Sequence, residues 1–448
     1  MIGTTALYGS VSHFLKRKDS LASSLKTVAT SMLILLINMA TGVVCARFLG
    51  PGGRGDQFVM ILWPGFLAAM LTFGLPSALL YHMKKYPEKE GEFYVTALLQ
   101  SLVLGLIALA IGMTFIPIWL DTYSSQVVRF AQWSMLLSPL ALITLMNQSA
   151  LQARGEFQLY DRLRSVPQMV TLLLLLILVL TNQMTAFASS LAYMLPVFPL
   201  TIWLMIRFLR IYGNQTMEFI LSFRKLFHYG LSSYGIDVMG TLSMYMDQVI
   251  IVGLLSPSDL GLYVVSLSLA RMIGILQSSL VTVLFPKAAG LAKEDAIQLT
   301  LRVFRISSFV TVIAALAVML IAPYLLILLY GKQYEGGLAV FRLLLAEVVL
   351  AGGILVLAQA FMALGRPVMV SLLQVIGQGL TIPLLFVLVP KFGLIGAGYA
   401  MLISSVIRLI FILSNYPITL KVPLPQPFLT RADVHWLKEK LRKNTMSN

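Results

Sequence analysis

Repeated runs of about twenty apolar residues constrain this chain more than any other feature. An α-helix rises about 1.5 Å per residue, so about 20 such residues cross about 30 Å of hydrocarbon. Segments near 27–48, 57–82, 93–119, 130–152, 166–182, 185–207, 228–254, 261–285, 305–330, 337–363, 367–389 and 393–416 meet that length. Of the 448 residues 58% are hydrophobic and only 11% charged, whereas a soluble domain carries about 25% charged residues. The expected fold class is therefore all-α and polytopic, with about twelve membrane spans. The basic cluster Lys16-Arg17-Lys18 precedes the first apolar run, which continues to Arg47 without a small-residue cleavage site. It reads as a retained span, not a cleaved signal.

The basic residues set the expected direction. With the N-terminus inside, 25 of the 33 Lys and Arg residues fall on cytoplasmic segments, five on external ones and three (Arg271, Arg342 and Arg408) within spans. That bias predicts both termini in the cytoplasm and an even number of spans in a cytoplasmic (inner) membrane. The net charge of +15 then reflects loops held on one side of a bilayer, and no nucleic-acid partner is expected.

The sequence also repeats itself. Leu49-Gly50-Pro51 with Gly55 recurs as Leu255-Ser256-Pro257 with Gly261, at an offset of 206. Pro76 matches Pro286, and Ala150, Ala153 and Gly155 match Ala360, Ala363 and Gly365, at 210. Six spans per repeat preserve orientation, so two parallel, pseudo-symmetric lobes are expected, an arrangement that places a substrate path between bundles. The expected organisation is a cytoplasmic N-terminal segment at 1–26, a six-helix lobe at 27–207, a cytoplasmic linker at 208–227, a second lobe at 228–417 and a basic cytoplasmic tail at 418–448. Asn214-Gln215-Thr216 in the linker is a chance sequon on the cytoplasmic side, and 431–443 has the pattern of either a basic amphipathic surface helix or a solvated tail.

Charged residues inside spans are costly and mark functional positions. Asp247 precedes the hairpin at Ser258 by 11 residues and Arg271 follows it by 13, which puts them at similar depth on adjacent antiparallel helices. Two readings stand: an ion pair neutralising itself, or a pair lining a cavity. Glu347 and Asp237 lie within spans, Arg342 and Arg408 near enough to helix ends to snorkel, and Arg47 closes the first span. Asn38, Gln100, Asn147, Gln148, Gln359, Gln374 and Gln378 are either sugar-binding groups or interhelical glue. The candidate cavity set is Arg271, Asp247, Arg47, Asn38, Gln359, Arg342 and Glu347. A single cysteine and four scattered histidines provide no metal-ligand spacing. No P-loop, H-E-x-x-H or G-x-S-x-G is present, so neither a cofactor nor an enzymatic activity is expected.

Ala46-Arg47-Phe48-Leu49-Gly50-Pro51-Gly52-Gly53-Arg54-Gly55 resembles the AR-x-LGP-x-x-x-G signature of Wzx-like oligosaccharide flippases. These are polysaccharide transporters of the multidrug/oligosaccharidyl-lipid/polysaccharide exporter superfamily. Asp247 with its β-branched run, Leu260-Gly261-Leu262-Tyr263, and Phe285-Pro286 resemble that family's pattern around the seventh and eighth spans. The resemblance covers about 25–417. It implies two six-helix lobes around a central cavity and, as cargo, an undecaprenyl-diphosphate-linked oligosaccharide moved outward across the membrane by alternating access. The polysaccharide polymerase machinery is an implied partner. Two alternatives compete with this reading. A cation-coupled multidrug or small-molecule exporter of the same fold often carries an acidic residue in the first span, where this chain has Asn38 and Thr41. A membrane polymerase or ligase would need a large external loop, and every external loop here is short.

Overall fold

The computed structural model describes residues 4–212, 218–430 and Asp433; the sequon at 214–216 and, Asp433 apart, the stretch 431–443 lie outside the described residues. Thirteen α-helices and no strand occur among the described residues. They are α1 (Thr4–Met70), α2 (Leu75–Lys85), α3 (Glu90–Trp119), α4 (Ser125–Ser134), α5 (Ser138–Arg154), α6 (Phe157–Leu180), α7 (Ala186–Met194), α8 (Val197–Tyr212), α9 (Phe219–Leu254), α10 (Pro257–Ala289), α11 (Lys293–Tyr330), α12 (Leu338–Ala363) and α13 (Pro367–Asn415).

Nine helical stretches among the described residues are long and apolar enough to cross a membrane. Two of them, Met32–Met70 with 39 residues and Pro367–Leu420 with 54, exceed what one crossing needs. Each contains one glycine whose backbone leaves the helix: Gly50 at φ 71°, ψ 177° and Gly393 at φ 56°, ψ −136°. Positive φ is cheap only for glycine, so each long helix turns at the residue that tolerates it.

The chain forms two compact units, Met1–Leu49 with Gln57–Val238 and Gly50–Asp56 with Met239–Asn448. In the first unit α5 packs against α2, α3 and α8. Leu79, Phe93, Tyr94, Met146, Ala150 and Phe208 fill its core. The break between α1 and α2 is closed locally. Tyr234 Oη donates to the Met70 carbonyl at 2.5 Å, supplying a partner that the ended helix lacks. Gly74 and Gly230 approach so closely that a Cβ on either would run into the other segment's backbone.

In the second unit α12 is the central helix: it packs on α10, α11 and α13, and 61% of its most apolar stretch is buried. The segment 50–56 docks on the start of α10 through repeat-related residues. A Cβ on Gly55 would overlap the Pro257 carbonyl, and one on Gly261 would overlap the Pro51 carbonyl. The contact is thus reciprocal, each Pro-x-x-x-Gly turn needing the other's glycine.

The repeat appears again at two helix ends. Gly155 and Gly365 both adopt the left-handed conformation, at φ 72° and 70°. Behind each, the next amide donates back to the helix, Glu156 N to Leu151 O at 2.9 Å and Arg366 N to Phe361 O at 2.8 Å. This is the glycine-terminated C-cap that satisfies end carbonyls.

Candidate functional site

The second unit contains an open cavity of about 480 Å³. Its walls come from α9 (Ser243, Asp247), α10 (Arg271, Gly274, Ser278), α12 (Glu347, Gly352) and α13 (Gln378, Thr381, Arg408). Glycine makes the room. The Gln277 amide of α10 occupies the place where a Gly352 side chain would stand, and the Arg408 side chain lies 2.9 Å from a Cβ built on Gly377. Leu or Val at either position would displace these polar groups.

Two acid–base pairs line this space. Arg271 Nη2 is 3.7 Å from Asp247 Oδ2, and the partners differ sharply in exposure, 51% for the arginine side chain against 6% for the aspartate. The aspartate is therefore sunk into the wall while most of the guanidinium stands free of it. In the second pair, Ser405 Oγ donates to Glu347 Oε1 at 2.8 Å and accepts from Arg408 Nη2 at 2.7 Å. Arg408 Nη2 lies 3.8 Å from the same carboxylate oxygen. Neither pair is bidentate, and hydrogen-bonding capacity remains. Asp247 Oδ1, Arg408 Nε, Gln378 Oε1 and Ser243 Oγ are buried without a hydrogen-bond partner. A buried unpaired polar group costs about 1–3 kcal/mol, more where no water reaches it. Four around one cavity mark a surface made to receive water or a polar ligand.

Of the seven candidate residues, the structure brings Asp247, Arg271 and Glu347 to this one cavity. Gln359 turns its amide back to the Leu355 carbonyl of its own helix at 3.0 Å. Arg342 is exposed near the start of α12. Arg47 and Asn38, both exposed, lie on α1 in the first unit. Arg408 differs from the expectation that it snorkels. Its guanidinium is held inside by Ser405 and Glu347, because a buried carboxylate needs a cation more than a mid-helix arginine needs the headgroup region. The signal for it was Glu347 itself: an acid deep in an apolar span demands a basic partner.

At the core of the first unit the polar network among the described residues is neutral. Tyr94 Oη donates to Asn147 Oδ1 at 2.6 Å, Asn147 Nδ2 donates to the Thr201 carbonyl at 2.9 Å, and the Thr144 and Thr201 hydroxyls pair at 2.9 Å. Its charges gather at helix ends instead. Glu156 accepts from Arg154 Nε and Arg207 Nη1, both at 2.7 Å, and Arg154 also reaches Glu90 at 2.8 Å. Burial pushes the Glu156 carboxyl up, but the hydrogen bonds from Arg154 and Arg207 outweigh it and hold the group below its ordinary value. The Tyr212 hydroxyl beside them donates to Glu90 at 2.9 Å. No cluster of three or more His, Cys, Asp or Glu placed to hold a metal occurs among the described residues.

Apolar spanning helices in two units, one of them built around a charged cavity, define a polytopic α-helical membrane protein. Residues 44–338 match the family described as "Polysaccharide biosynthesis protein", and the chain belongs to that family. Among solved structures, it is similar to a lipid II flippase, MurJ, in an inward closed conformation, with TM-score 0.72 and 12% identity over 89% of this chain and 88% of that one. It is also similar to a multidrug resistance MATE family transporter of the MOP superfamily in an inward-facing conformation, at TM-score 0.63 and 16% identity over 87% and 96% of the two chains. A MOP superfamily transporter from Pyrococcus furiosus matches at TM-score 0.54 and 16% identity over 87% and 93%. Among curated proteins no sequence match was found. At these identities the likeness establishes the fold alone.

Proposed function

We propose that this chain is a flippase that carries an undecaprenyl-diphosphate-linked oligosaccharide across the cytoplasmic membrane for surface polysaccharide biosynthesis, by alternating access of its two helical units. The observation that carries the proposal is the cavity of the second unit, in a chain of the polysaccharide biosynthesis family. Moving a diphosphate and several sugars through hydrocarbon is prohibitive without a polar path. Arg271 and Arg408 provide the forked donors that suit phosphate oxygens, and Gln378, Ser243 and Thr381 suit sugar hydroxyls. Arg47, Asn38, Gln359 and Arg342 are proposed as further contacts along the path.

The topology belongs to the same proposal. Dividing the two overlong stretches at Gly50 and Gly393, and counting α9, turns the nine stretches into twelve spans. The distribution of basic residues then places both termini in the cytoplasm, with a lobe at 27–207, a linker at 208–227, a lobe at 228–417 and a tail from 418. The polymerase machinery that consumes the flipped unit is the proposed partner.

The test is a flipping assay in proteoliposomes with radiolabelled undecaprenyl-diphosphate oligosaccharide. Wild type should transfer label faster than empty vesicles, and Arg271→Ala should be slowed. Transfer no faster than empty vesicles removes the cargo assignment; normal transfer by Arg271→Ala removes only the site assignment. A second reading, a cation-coupled exporter of small molecules, is favoured by one observation: Asp247 and Glu347 are buried carboxylates on the cavity wall. Efflux of a cationic dye driven by an imposed ion gradient, with no transfer of lipid-linked sugar, would support it.

A further inference from the structure

A second cavity, of about 530 Å³, opens where the end of α2 meets the first turns of α9, wholly within the first unit. Lys85, Arg224, Lys225 and His228 line it with Tyr81, Tyr229 and His82. No carboxylate lines it. Elsewhere in this unit Lys89, Arg154 and Arg207 are each held by glutamates. Lys85, Arg224 and Lys225 have no such partner among the described residues; Lys85 Nζ instead donates to Tyr81 Oη at 2.9 Å. The aromatic rings are ordered around the cations. Tyr81 and Tyr229 stack at 4.3 Å, and Lys225 Nζ stands 5.2 Å above the Tyr86 ring.

His82 gives the pocket its floor. It is only 7% exposed and its ring lies against Phe93 at 4.9 Å and Tyr229 at 5.6 Å. Its ring nitrogens make no hydrogen bond to another side chain, and the polar group acting on them is the Lys225 backbone. A buried imidazole with spare hydrogen-bonding capacity, under three cations with no carboxylate beside them, is the environment that an anionic, hydrogen-bond-accepting group completes.

The same helix supplies a place for an apolar tail. Phe219, Phe223 and Phe227 recur at four-residue spacing on another face of α9 and line a groove with Phe73, Leu75 and Val103. All three α9 phenylalanines are exposed. A helix start with basic residues on one face and aromatic residues on another lies in the membrane interface. An amphiphile with a phosphate head fits both features; free phosphate or a nucleotide fits only the first.

We infer that the α2–α9 pocket binds the phosphate headgroup of an anionic bilayer lipid, with its chains along the Phe219–Phe223–Phe227 face. The site is separate from the charged cavity of the second unit and does not depend on the identity of the transported cargo.

The experiment uses full-length protein in nanodiscs of phosphatidylcholine with and without phosphatidylglycerol. Lipid retained after extraction into detergent is counted by native mass spectrometry. Wild type should retain phosphatidylglycerol in preference to phosphatidylcholine. The Lys85→Gln/Arg224→Gln/Lys225→Gln variant should retain it on the order of a hundredfold less well, and Arg224→Gln alone about fivefold less well, since each basic side chain near an anionic lipid contributes about one such factor. Arg210→Gln, exposed on α8 and outside the pocket, should match wild type. If the triple variant does not fold, the exposed Arg224→Gln carries the test, with Arg224→Lys expected to restore retention. Equal retention by variant and wild type overturns the proposal. Retention of phosphatidylcholine equal to phosphatidylglycerol also overturns it, as does release of the bound lipid by millimolar inorganic phosphate, which would make free phosphate the ligand.

Discussion

The two units share their helix-end motifs and differ in what they bury. The first has at its core a neutral network, Tyr94, Asn147, Thr144 and Thr201, whose hydrogen bonds are mutual, and buries the Glu92 carboxylate at the start of α3 against Ser222. The second leaves a cavity walled by Asp247, Arg271, Glu347 and Arg408. At the offsets of the repeat, Thr41, Leu137 and Phe198 stand where Asp247, Glu347 and Arg408 stand in the second unit. At these three positions a duplicated scaffold therefore holds without charge, and Asp247, Glu347 and Arg408 are additions that helix packing there does not require. Replacing a buried ion pair by well-packed apolar residues is often neutral or stabilising, whereas deleting one partner strands the other.

The largest effect should come from breaking one pair. Glu347→Ala or Arg408→Ala leaves an uncompensated buried charge and should lower stability by about 3–5 kcal/mol, read as a drop in thermal unfolding temperature in detergent. Glu347→Leu with Arg408→Phe installs the first unit's residues. That double variant should melt well above either single variant while losing transport. If it melts no higher than the singles, the charges belong to the scaffold and the comparison fails.

A smaller effect is expected at the reciprocal turns. Gly55→Ala and Gly261→Ala each place a methyl group against a carbonyl of the opposing turn, and overpacking of this kind costs about 1–3 kcal/mol. Because the contact is reciprocal, the two losses should be similar in size and less than additive when combined. A difference between them of several-fold would show that the repeat is not symmetric here.

Asn147→Ala probes the neutral interior of the first unit. It strands the buried Tyr94 hydroxyl and removes a second hydrogen bond from the Thr201 carbonyl, which keeps its helical one, at a cost of about 1–3 kcal/mol. Transport per folded molecule should be unchanged, in contrast to substitutions at Arg271. Loss of transport without loss of folded protein would move part of the site into this unit.

Much of the fold was legible in the sequence, for a physical reason. Span length and apolar composition are properties of contiguous residues, and Gly50 and Gly155 mark turns because of their own backbone freedom. The contact between Asp247 and Arg271 was within reach because a short hairpin fixes the register of the two helices that flank it. Glu347 and Arg408 were not paired from sequence. They lie on α12 and α13, with the first half of α13 and the turn at Gly393 between them, and nothing local sets that register. The pocket at His82 was also invisible, since α9 reaches α2 across most of the first unit's sequence. Counting in from a helix end assigned Arg408 to the membrane surface; its position follows instead from the carboxylate it neutralises.

The smallest effect separates charges at helix ends from charges in a cavity. Glu156, with side-chain exposure of 22%, is shared by Arg154 and Arg207 at the end of the first unit. Partial exposure screens the interaction, so Glu156→Gln should cost no more than about 1 kcal/mol near neutral pH. The carboxyl titrates below its ordinary value in the folded chain. Its contribution is therefore fully present above the unfolded value of about 4.3 and is lost as pH falls through the lower folded value. The melting curves of wild type and Glu156→Gln should differ at neutral pH and draw together only below about pH 4, and added salt should narrow the gap at neutral pH. Raising salt should change the penalty of Arg408→Ala less, because the carboxylate of that pair, Glu347, is 8% exposed against 22% for Glu156. A salt response of equal size at both places would mean that the second unit's cavity is as open to water as the helix ends of the first.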